Sequence, residues 1–572
     1  MSRLAGRQSS PAERPAMTIN RRDALTLIGS GIGSGAAIGV PTIASAASTS
    51  DARFDHGVAS GDPSVDGAIL WTRATPVDAA QAGDIALVWH VAETEDTKPI
   101  RSGKVSARAA RDFTAKVAAT GLMPGRDYVY WFETGTGTKS PVGRVRTLPR
   151  GKVADVVMAV VSCQLYGGGY FNAYQAIGGL DRLDAVLHLG DYIYEYGADG
   201  YGADIAEKIG RVVEPAHEIV TLADYRMRHA QVKRDKDMQA AHARAAFICV
   251  WDDHEVANDD WMHGAENHDP KTEGDWDKRK AAAMQAYFEW MPIRDPKPGQ
   301  PWDAINRSFE FGDLATLAMV ETRLLARSKQ VAPKGAGIAP SDYAPMMAER
   351  ARADRELLGP AQLAWLERTM TASVTAGKPW QVLGNQVVMA KVAGPDIEKQ
   401  MGPERYAALL AKMPEMWRAR LQAGIASYRA GLPFNFDSWD GYPPARERLY
   451  AAFQRAKSRP IVLAGDSHAA WANDLHDDSD NLVAAEFGCT AITSPSYGSL
   501  LPGIGKLIDA ANPEVRFCDQ DNKGFLLLTL TPEHAIGDFH TVSTVVDKTF
   551  EQKRVKRFRS IAGKAAPLEE IA

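Results

Sequence analysis

The residues from Asp184 to Tyr194, DAVLHLGDYIY, most constrain what this chain can fold into. Residues 185–189 are apolar apart from His188, which predicts a buried strand of an α/β sheet. Gly190 ends this strand, and the carboxylate of Asp191 follows at once, where open α/β sheets place their ligands. Tyr194 comes three residues later, close enough to turn back onto the same point. His188 lies inside the strand, so we expect a core histidine there.

Similar apolar runs recur along the chain. From residue 154 onward, apolar runs alternate with helical stretches, which predicts an α/β layer fold. The apolar runs span residues 156–161, 185–189, 246–251, 315–320, 380–383 and 461–464, and helices are expected over 222–245, 275–290, 360–376 and 445–457.

A polar cluster follows each of the six apolar runs. The clusters are Ser162-Cys163-Gln164, Gly190-Asp191 with Tyr194, Asp252-Asp253-His254-Glu255, Glu321-Thr322-Arg323, Gly384-Asn385-Gln386 and Gly465-Asp466-Ser467-His468. Several strand ends of a parallel or mixed sheet meet at one edge, so six such endings predict one shared site.

The side chains in these clusters are of metal-ligand type. Asp, His, Tyr, Cys and Asn together offer donors of differing softness. Asp466 and His468 lie on the same side of a turn and could each serve a different metal, while Asp191 carries two oxygens that could bridge those metals. A pair of cations about 3.5–4 Å apart is the usual device for hydrolysing phosphate esters.

The donor types also indicate which metals to expect. The thiolate of Cys163 and the phenolate of Tyr194 are anionic donors that suit Fe³⁺, whereas Asp and Asn oxygens suit a hard cation such as Ca²⁺ or Mg²⁺. The Cys-x-x-Cys and His-Glu-x-x-His spacings of conventional zinc sites are absent from the sequence. The alternative for Cys163 is a small buried thiol, and for residues 252–255 a solvated turn.

Residues 1–46 predict a twin-arginine export signal. Arg21 and Arg22 form the arginine pair, an uncharged glycine-rich run follows from residue 24 to 47, and Ala44-Ser45-Ala46 is a small-x-small cleavage site. An uncleaved membrane anchor is the alternative. We therefore expect a periplasmic or secreted protein that engages the twin-arginine export machinery and has no membrane span in its mature form.

Composition and cysteine usage exclude other classes. The hydrophobic content of 45% and charged content of 24% are typical of a globular protein, and a net charge of −5 over 572 residues argues against a sequence-specific nucleic-acid binder. The four cysteines are too few for a disulfide framework. We expect Cys249 in the core, and a Cys489–Cys518 disulfide is one option.

Two further regions flank the predicted α/β region, which we assign to residues 153–546. Residues 52–150 predict a small all-β domain, because the loop at residues 122–128 resembles the tyrosine corner of fibronectin-like sandwiches. Residues 547–572 form a charged tail, for which we favour a surface helix over a cover of the active site. Residues 197–221, 328–359 and 392–443 resemble insertions, the first expected to cover the site and the others irregular.

The motifs resemble those of the alkaline phosphatase D (PhoD-type) branch of the calcineurin-like metallophosphoesterases. The matching motifs are HGVASGDP at 56–63, SCQ at 162–164, GDYIYEYG at 190–197, WDDHEVAND at 251–259, LGNQ at 383–386, GDSH at 465–468 and TSPS at 493–496. The resemblance covers most of residues 53–545.

The resemblance implies a fibronectin-like domain followed by a four-layer α/β sandwich of two mixed sheets flanked by helices. It also implies hydrolysis of phosphomonoesters and phosphodiesters outside the cytoplasm for phosphate acquisition, with Fe³⁺ and one or two Ca²⁺ ions. Carried over by position, iron would be held by Cys163, Asp191, Tyr194 and His468, and calcium by Asp191, Asp253, Asp466 and Asn385.

Three more residues receive roles by this resemblance. Asp252 would hold a further calcium ion, and His254 would contact the phosphate or protonate the leaving group. Arg323 is a candidate phosphate clamp, since a guanidinium forks onto two phosphate oxygens, and its alternative is an ion pair with Glu321. The choice between Asp252 and Asp253, and between Asn385 and Gln386, stays open.

Two other functions compete with a general phosphatase. One is a phospholipase-like or nuclease-like enzyme that prefers diesters and uses the same metals. The other is an exported binding protein in which calcium only braces loops. The pair Cys163 and Tyr194 disfavours this second alternative, because structural calcium sites have no use for a thiol and a phenol.

Overall fold

The computed structural model describes residues 51–572, except residues 79, 81–82, 298–304, 333–337 and 414. The predicted signal at residues 1–46, with Arg21 and Arg22, lies outside the described residues.

Most of the described strands belong to two large sheets. The strands are β1 (Ala52–Arg53), β2 (Val58–Ser64), β3 (Gly67–Arg73), β4 (Thr75–Pro76), β5 (Ile85–Ala92), β6 (Arg101–Ala107), β7 (Thr114–Thr120), β8 (Asp127–Thr134), β9 (Gly143–Arg146), β10 (Val156–Val161), β11 (Ala185–His188), β12 (Ala246–Cys249), β13 (Arg307–Phe311), β14 (Ala315–Met319), β15 (Trp380–Gly384), β16 (Ile461–Ala464), β17 (Ala470–His476), β18 (Leu482–Gly488), β19 (Val515–Asp519), β20 (Lys523–Leu530), β21 (His534–Val542), β22 (Gln552–Ile561) and β23 (Glu569–Glu570).

The helices alternate with these strands. They are α1 (Asn172–Gly178), α2 (Ala203–Ile209), α3 (Leu222–Lys233), α4 (Lys236–Arg244), α5 (Trp276–Trp290), α6 (Tyr343–Arg350), α7 (Gly359–Thr375), α8 (Ile397–Met401), α9 (Pro403–Lys412), α10 (Glu415–Arg429), α11 (Pro443–Arg455) and α12 (Ile504–Ala511). Among the described residues, every helix is too short or too polar to cross a membrane.

The six apolar runs all form strands, but in two sheets. A ten-stranded sheet has the order β23-β22-β21-β20-β10-β11-β12-β2-β3-β7, and a seven-stranded sheet has the order β13-β14-β15-β16-β18-β17-β19. Strands β10, β11 and β12 run parallel with Val161, His188 and Cys249 in register, so their carboxyl ends lie level. Strands β14, β15 and β16 are also parallel. Each sheet therefore presents three of the polar clusters at one edge.

The two sheets pack face to face with helices on their outer faces. Phe539 of β21 contacts Phe487 of β18 and Phe517 of β19, with ring centroids 6.2 and 5.3 Å apart. Helices α1 and α4 pack on the ten-stranded sheet, and α7 and α11 pack on the seven-stranded one. The layers run helix, sheet, sheet, helix, which confirms the predicted four-layer α/β sandwich.

The N-terminal β region is joined to the ten-stranded sheet. Strands β2, β3 and β7 extend this sheet through the pairing of Gly61 with Phe247 of β12, while β6-β5-β8-β9 form a separate four-stranded sheet. The backbone N–H of Met123 donates to the Tyr128 hydroxyl at 2.9 Å, as a tyrosine corner requires. Trp71 of β3 is fully buried and donates to the Glu289 carbonyl of α5, so the all-β region shares its packing with the α/β region.

The structure corrects three expectations. The tail is not a surface helix, because β22 pairs along its length with β21 and β23 pairs with β22. The segments 328–359 and 392–443 are not irregular, since they contain α6 and α8 to α10. Cys489 and Cys518 form no disulfide, and all four cysteines are buried free thiols.

Candidate metal and active site

The loops after the strands of both sheets converge on one cluster of buried side chains. Cys163, Asp191, Asp466 and His468 all have left-handed backbone, with φ between 57° and 59°. Such a conformation costs a non-glycine residue about 1–3 kcal/mol and is concentrated at functional sites. Backbone bonds from Cys163 to the Gly190 carbonyl, and from Gln164 to that of Asp191, hold the first two strand ends together. The strained backbone at these four residues places their side chains close to one point.

The predicted iron ligands lie together. Cys163, Asp191 and His468 offer ligand atoms within 4.8 Å of one another. The Tyr194 hydroxyl lies 3.0 Å from Asp191 Oδ2 and 3.3 Å from His468 Nε2. His468 Nδ1 donates to the Pro495 carbonyl at 2.6 Å, and this leaves Nε2 as the nitrogen that can bind a metal.

Burial shifts the pKa values of these groups toward their neutral forms. Burial, and next the Asp191 carboxylate, raise the pKa of the Cys163 thiol well above its usual value. Burial also raises the pKa of Asp191 well above its usual range, and lowers the pKa of His468 to about 3, which keeps the imidazole neutral. A bound metal ion would reverse the penalty on the two anions, because a coordinated thiol ionises.

The predicted calcium ligands form an adjoining acidic group. Asp252, Asp253 and Asp466 place carboxylate oxygens within 4.8 Å of one another. Asp253 also belongs to a group with Asp191 and His254, so this acidic group is contiguous with the predicted iron site. Asp191 Oδ1, Asp252 Oδ2 and Asp253 Oδ1 are buried and have no hydrogen-bond partner within the described part of the chain. Since unpartnered buried carboxylate oxygens are costly, the residues present fit a pair of metal ions.

The Arg323 guanidinium lies among these acids. It is fully buried, and it contacts Asp252 Oδ1 at 2.5 Å, Asp437 Oδ1 at 2.9 Å and Asp466 Oδ1 at 3.2 Å. The alternative of a surface ion pair with Glu321 is wrong, because the buried guanidinium pairs with Asp252, Asp437 and Asp466, while Glu321 accepts from the backbone N–H of Arg323. A role as a phosphate clamp stays a prediction, and in this structure the guanidinium offsets part of the negative charge of the acidic group.

Replacing Arg323 with methionine is expected to destabilise the metal-free protein by about 3–5 kcal/mol, because it leaves buried carboxylates uncompensated. Calcium should restore most of this loss if the acids bind it. Urea titrations with chelator and with calcium measure both values. Arg446→Met is the matched control, since it removes the nearer of two arginines that pair with buried Asp440 outside the metal-ligand groups, and calcium should not restore its stability. Equal responses of the two variants to calcium would contradict a cation site at this position.

His254 is held in place by Glu195, which was not predicted as a site residue. Its Nδ1 lies 2.7 Å from Glu195 Oε2, and its ring stacks on that of Tyr194 at 4.1 Å. Burial opposes a charge on His254, but the carboxylates of Asp253, Glu195 and Asp191 outweigh it and raise its pKa well above the usual value. Glu195 directly follows Tyr194 in the motif GDYIYEYG, and this position was the sequence signal that could have identified it as a site residue.

The amides after β15 have different surroundings. Gln386 uses both ends of its side chain, accepting from the Thr322 hydroxyl at 2.6 Å and donating to the Val320 carbonyl at 2.8 Å. Asn385 Oδ1 accepts one bond, from Trp439 Nε1 at 3.0 Å, and a carbonyl oxygen can accept two. Asn385 therefore remains the better candidate ligand, although its ligation stays a prediction.

Other acids near the site had been assigned no role from the sequence. Glu255 ties two strand ends together, because its carboxylate accepts the backbone N–H groups of Asp191 at 3.0 Å and Asp252 at 2.8 Å. Asp259 and Asp437 form a further ligand-type group with Asp253. Asp437 comes from the segment 392–443, where no motif marked it. Segment 197–221, which we expected to cover the site, reaches it, with the Tyr201 hydroxyl 3.4 Å from His468 Nδ1.

Comparisons with known proteins agree with this architecture. Residues 158–539 match the family described as PhoD-like phosphatase, and residues 41–149 match its N-terminal domain. The chain is 35% identical over 510 residues to alkaline phosphatase D of Bacillus subtilis (strain 168), covering 86% of this chain and 78% of that protein. A solved structure of PhoD superposes with a TM-score of 0.74 at 30% identity, covering 91% of this chain and 92% of the other. The chain therefore belongs to the PhoD-like phosphatases, a family of phosphoric ester hydrolases.

Proposed function

We propose that the protein is an exported, metal-dependent alkaline phosphatase that hydrolyses phosphate monoesters and diesters for phosphate acquisition. The observation that carries this proposal is the chain of overlapping ligand groups. Asp191 is shared by the group with Cys163 and His468 and by the group with Asp253 and His254. An acid in this position suits a bridge between two unlike cations.

In this proposal, Cys163, Asp191, Tyr194 and His468 would hold Fe³⁺. Asp191, Asp253, Asp466 and Asn385 would hold Ca²⁺, and Asp252 would serve a second calcium ion. When bound, such ions would activate water and neutralise charge on the phosphate. The soft and anionic donors of the first group and the all-oxygen donors of the second support this assignment.

The protein's own residues position and protonate the substrate. Glu195 holds His254 by Nδ1, which leaves Nε2 to donate a proton to the oxygen of the departing alcohol. Glu195 is itself fixed by the Asn258 backbone N–H and the Asn267 amide, each at 2.8 Å. The stacking of His254 on Tyr194 sets the plane of the imidazole relative to the predicted iron ligands. General acid catalysis of this kind contributes about 10²–10⁴-fold to rate.

The export part of the proposal rests on the sequence. Arg21 and Arg22 precede an uncharged, glycine-rich run with a small-x-small cleavage site. Twin-arginine export carries proteins already folded, so the metals could be loaded before export, and the destination would be the periplasm or the exterior.

Metal removal tests the proposed function. Protein exported by its own signal is expected to contain iron and calcium, to show a visible charge-transfer band from tyrosinate bound to Fe³⁺, and to hydrolyse 4-nitrophenyl phosphate and bis(4-nitrophenyl) phosphate. Chelation should abolish both activities, and calcium should restore them where iron is retained. A folded, colourless and iron-free protein with full activity would refute the metal assignment. A folded metal-bound protein inactive on both esters would instead favour a calcium-braced binding protein.

A further inference from the structure

An apolar cleft opens beside the acidic group, between the segment 392–443 and the residues that lead into α12. Its volume is about 440 Å³. The wall includes Tyr428, Phe434, Leu421, Tyr497, Leu501 and Ile504. Clefts of about 300–1,000 Å³ lined mainly by apolar side chains are the usual form of sites for small organic groups.

Two separate stretches of chain lead from the site into this wall. Asp437 contacts Arg323 in the acidic group, and Phe434 in the wall precedes it by three residues. The Ser494 hydroxyl lies 2.7 Å from the Tyr194 hydroxyl, and Tyr497 in the wall follows three residues later. The rings of Phe434 and Tyr497 meet edge to face with centroids 5.3 Å apart. Each stretch therefore brings the wall of the cleft within three residues of the site.

The cleft leaves large apolar side chains in contact with water. Tyr497 is 55% exposed and Leu500 is 49% exposed, and both face the cleft. Contiguous exposed apolar surface next to a polar rim is typical of a ligand-binding groove. Lys412 and Arg420 also line the cleft, so its lining is not wholly apolar.

We propose that this cleft binds an alkyl arm of the phosphate ester while the phosphate lies at the metal site. The occupant is an alkyl chain, because the wall combines aliphatic side chains with Met413, whose unbranched side chain adapts to a chain of variable shape. This inference rests on the proposed function and specifies its substrate class. It makes the enzyme selective for esters with a long apolar arm over esters of small polar alcohols.

The first test is a series of 4-nitrophenyl alkyl phosphates from methyl to octyl. We expect kcat/KM to rise with chain length by about two- to fourfold for each methylene that enters the cleft, and then to level off. Octylphosphonate should likewise bind more tightly than methylphosphonate in calorimetry, with the more negative heat-capacity change that apolar burial produces.

Two variants test the cleft directly. Leu500→Asp places a charge on an exposed wall position, and Gly424→Leu fills the cleft from α10. The nearest atoms to a Cβ added at Gly424 belong to Tyr428 at 3.8 Å, an ordinary contact, so the backbone need not shift. Both variants are expected to flatten the dependence on chain length while hydrolysing the methyl ester as the wild type does. Gly424→Ala should keep the dependence of kcat/KM on chain length. Met227→Asp, which alters an exposed methionine of α3, should keep it as well.

The outcomes separate this inference from the proposed function. If no variant, including the wild type, hydrolyses the methyl ester, the phosphatase proposal fails. If the wild type hydrolyses every ester at the same rate, or if Leu500→Asp and Gly424→Leu keep the full dependence on chain length, the cleft is not the alkyl subsite. Tighter binding of an aryl arm than an octyl arm would also overturn the assignment, as would a dimer that Leu500→Asp dissociates.

Discussion

Changing Asp191 to asparagine is expected to lower kcat/KM for 4-nitrophenyl phosphate by about 10³-fold or more, since metal ions supply several kcal/mol of transition-state stabilisation. Asp191 belongs to two adjoining ligand groups, so its loss weakens both predicted ions. Asparagine also tolerates the left-handed backbone at this position, where φ is 59°, so the fold should survive. Steady-state kinetics, with iron and calcium analysis of the same preparation, measure the effect.

The matched control is Asp538→Asn. Asp538 is another buried acid, paired with Arg557 on β22 at the far side of the ten-stranded sheet. We expect this variant to lose some stability but to keep its metals and its kcat. Asp191→Asn protein with unchanged iron content and near-normal turnover would show that Asp191 is not a bridging ligand.

Changing His254 to glutamine is expected to lower kcat by about 10²–10⁴-fold for esters of alkyl alcohols, whose leaving groups need a proton. The loss should be much smaller for 4-nitrophenyl phosphate, because 4-nitrophenolate departs without protonation. The slope of log kcat against leaving-group pKa should therefore steepen in the variant. Metal content should stay unchanged, which separates the loss of a proton donor from the loss of an ion.

Glu195→Gln is the companion variant. It keeps the size of the side chain that holds His254 Nδ1 but removes its charge. As a positioning change, it should give a smaller loss with the same dependence on the leaving group. A His254→Gln variant that slows alkyl and aryl esters equally would argue for a phosphate-binding histidine instead of a proton donor.

The strands around the site were predictable within one or two residues. Runs such as 156–161 and 185–189 are buried on both faces of a mixed sheet, so they are continuously apolar and stand out in the sequence. The polar residues after them, including Asp191 and His468, were recognisable because strand ends at one edge lie close together. His188 is fully buried as expected, with a pKa that burial lowers to about 3.

The tail and the acidic partners were less predictable. Residues 552–561, QKRVKRFRSI, have a weak local pattern, and the strand forms because β21 supplies a partner edge. The contact between Arg323 and Asp437 joins residues 114 positions apart, one after β14 and one in a helical insertion. No local sequence pattern predicts either contact, since both depend on how distant segments pack.

By itself, the sequence determined an α/β layer fold, the strand ends and the donor types, because burial period and residue chemistry are local properties, while the four-layer order was implied by the family resemblance. The tertiary structure decided that the six strand ends come from two sheets facing each other, and that Glu195 fixes His254. It also decided that Arg323 lies among Asp252, Asp437 and Asp466. These features arise from packing between segments far apart in the chain. A buried charge is stable only where packing brings an oppositely charged partner to it.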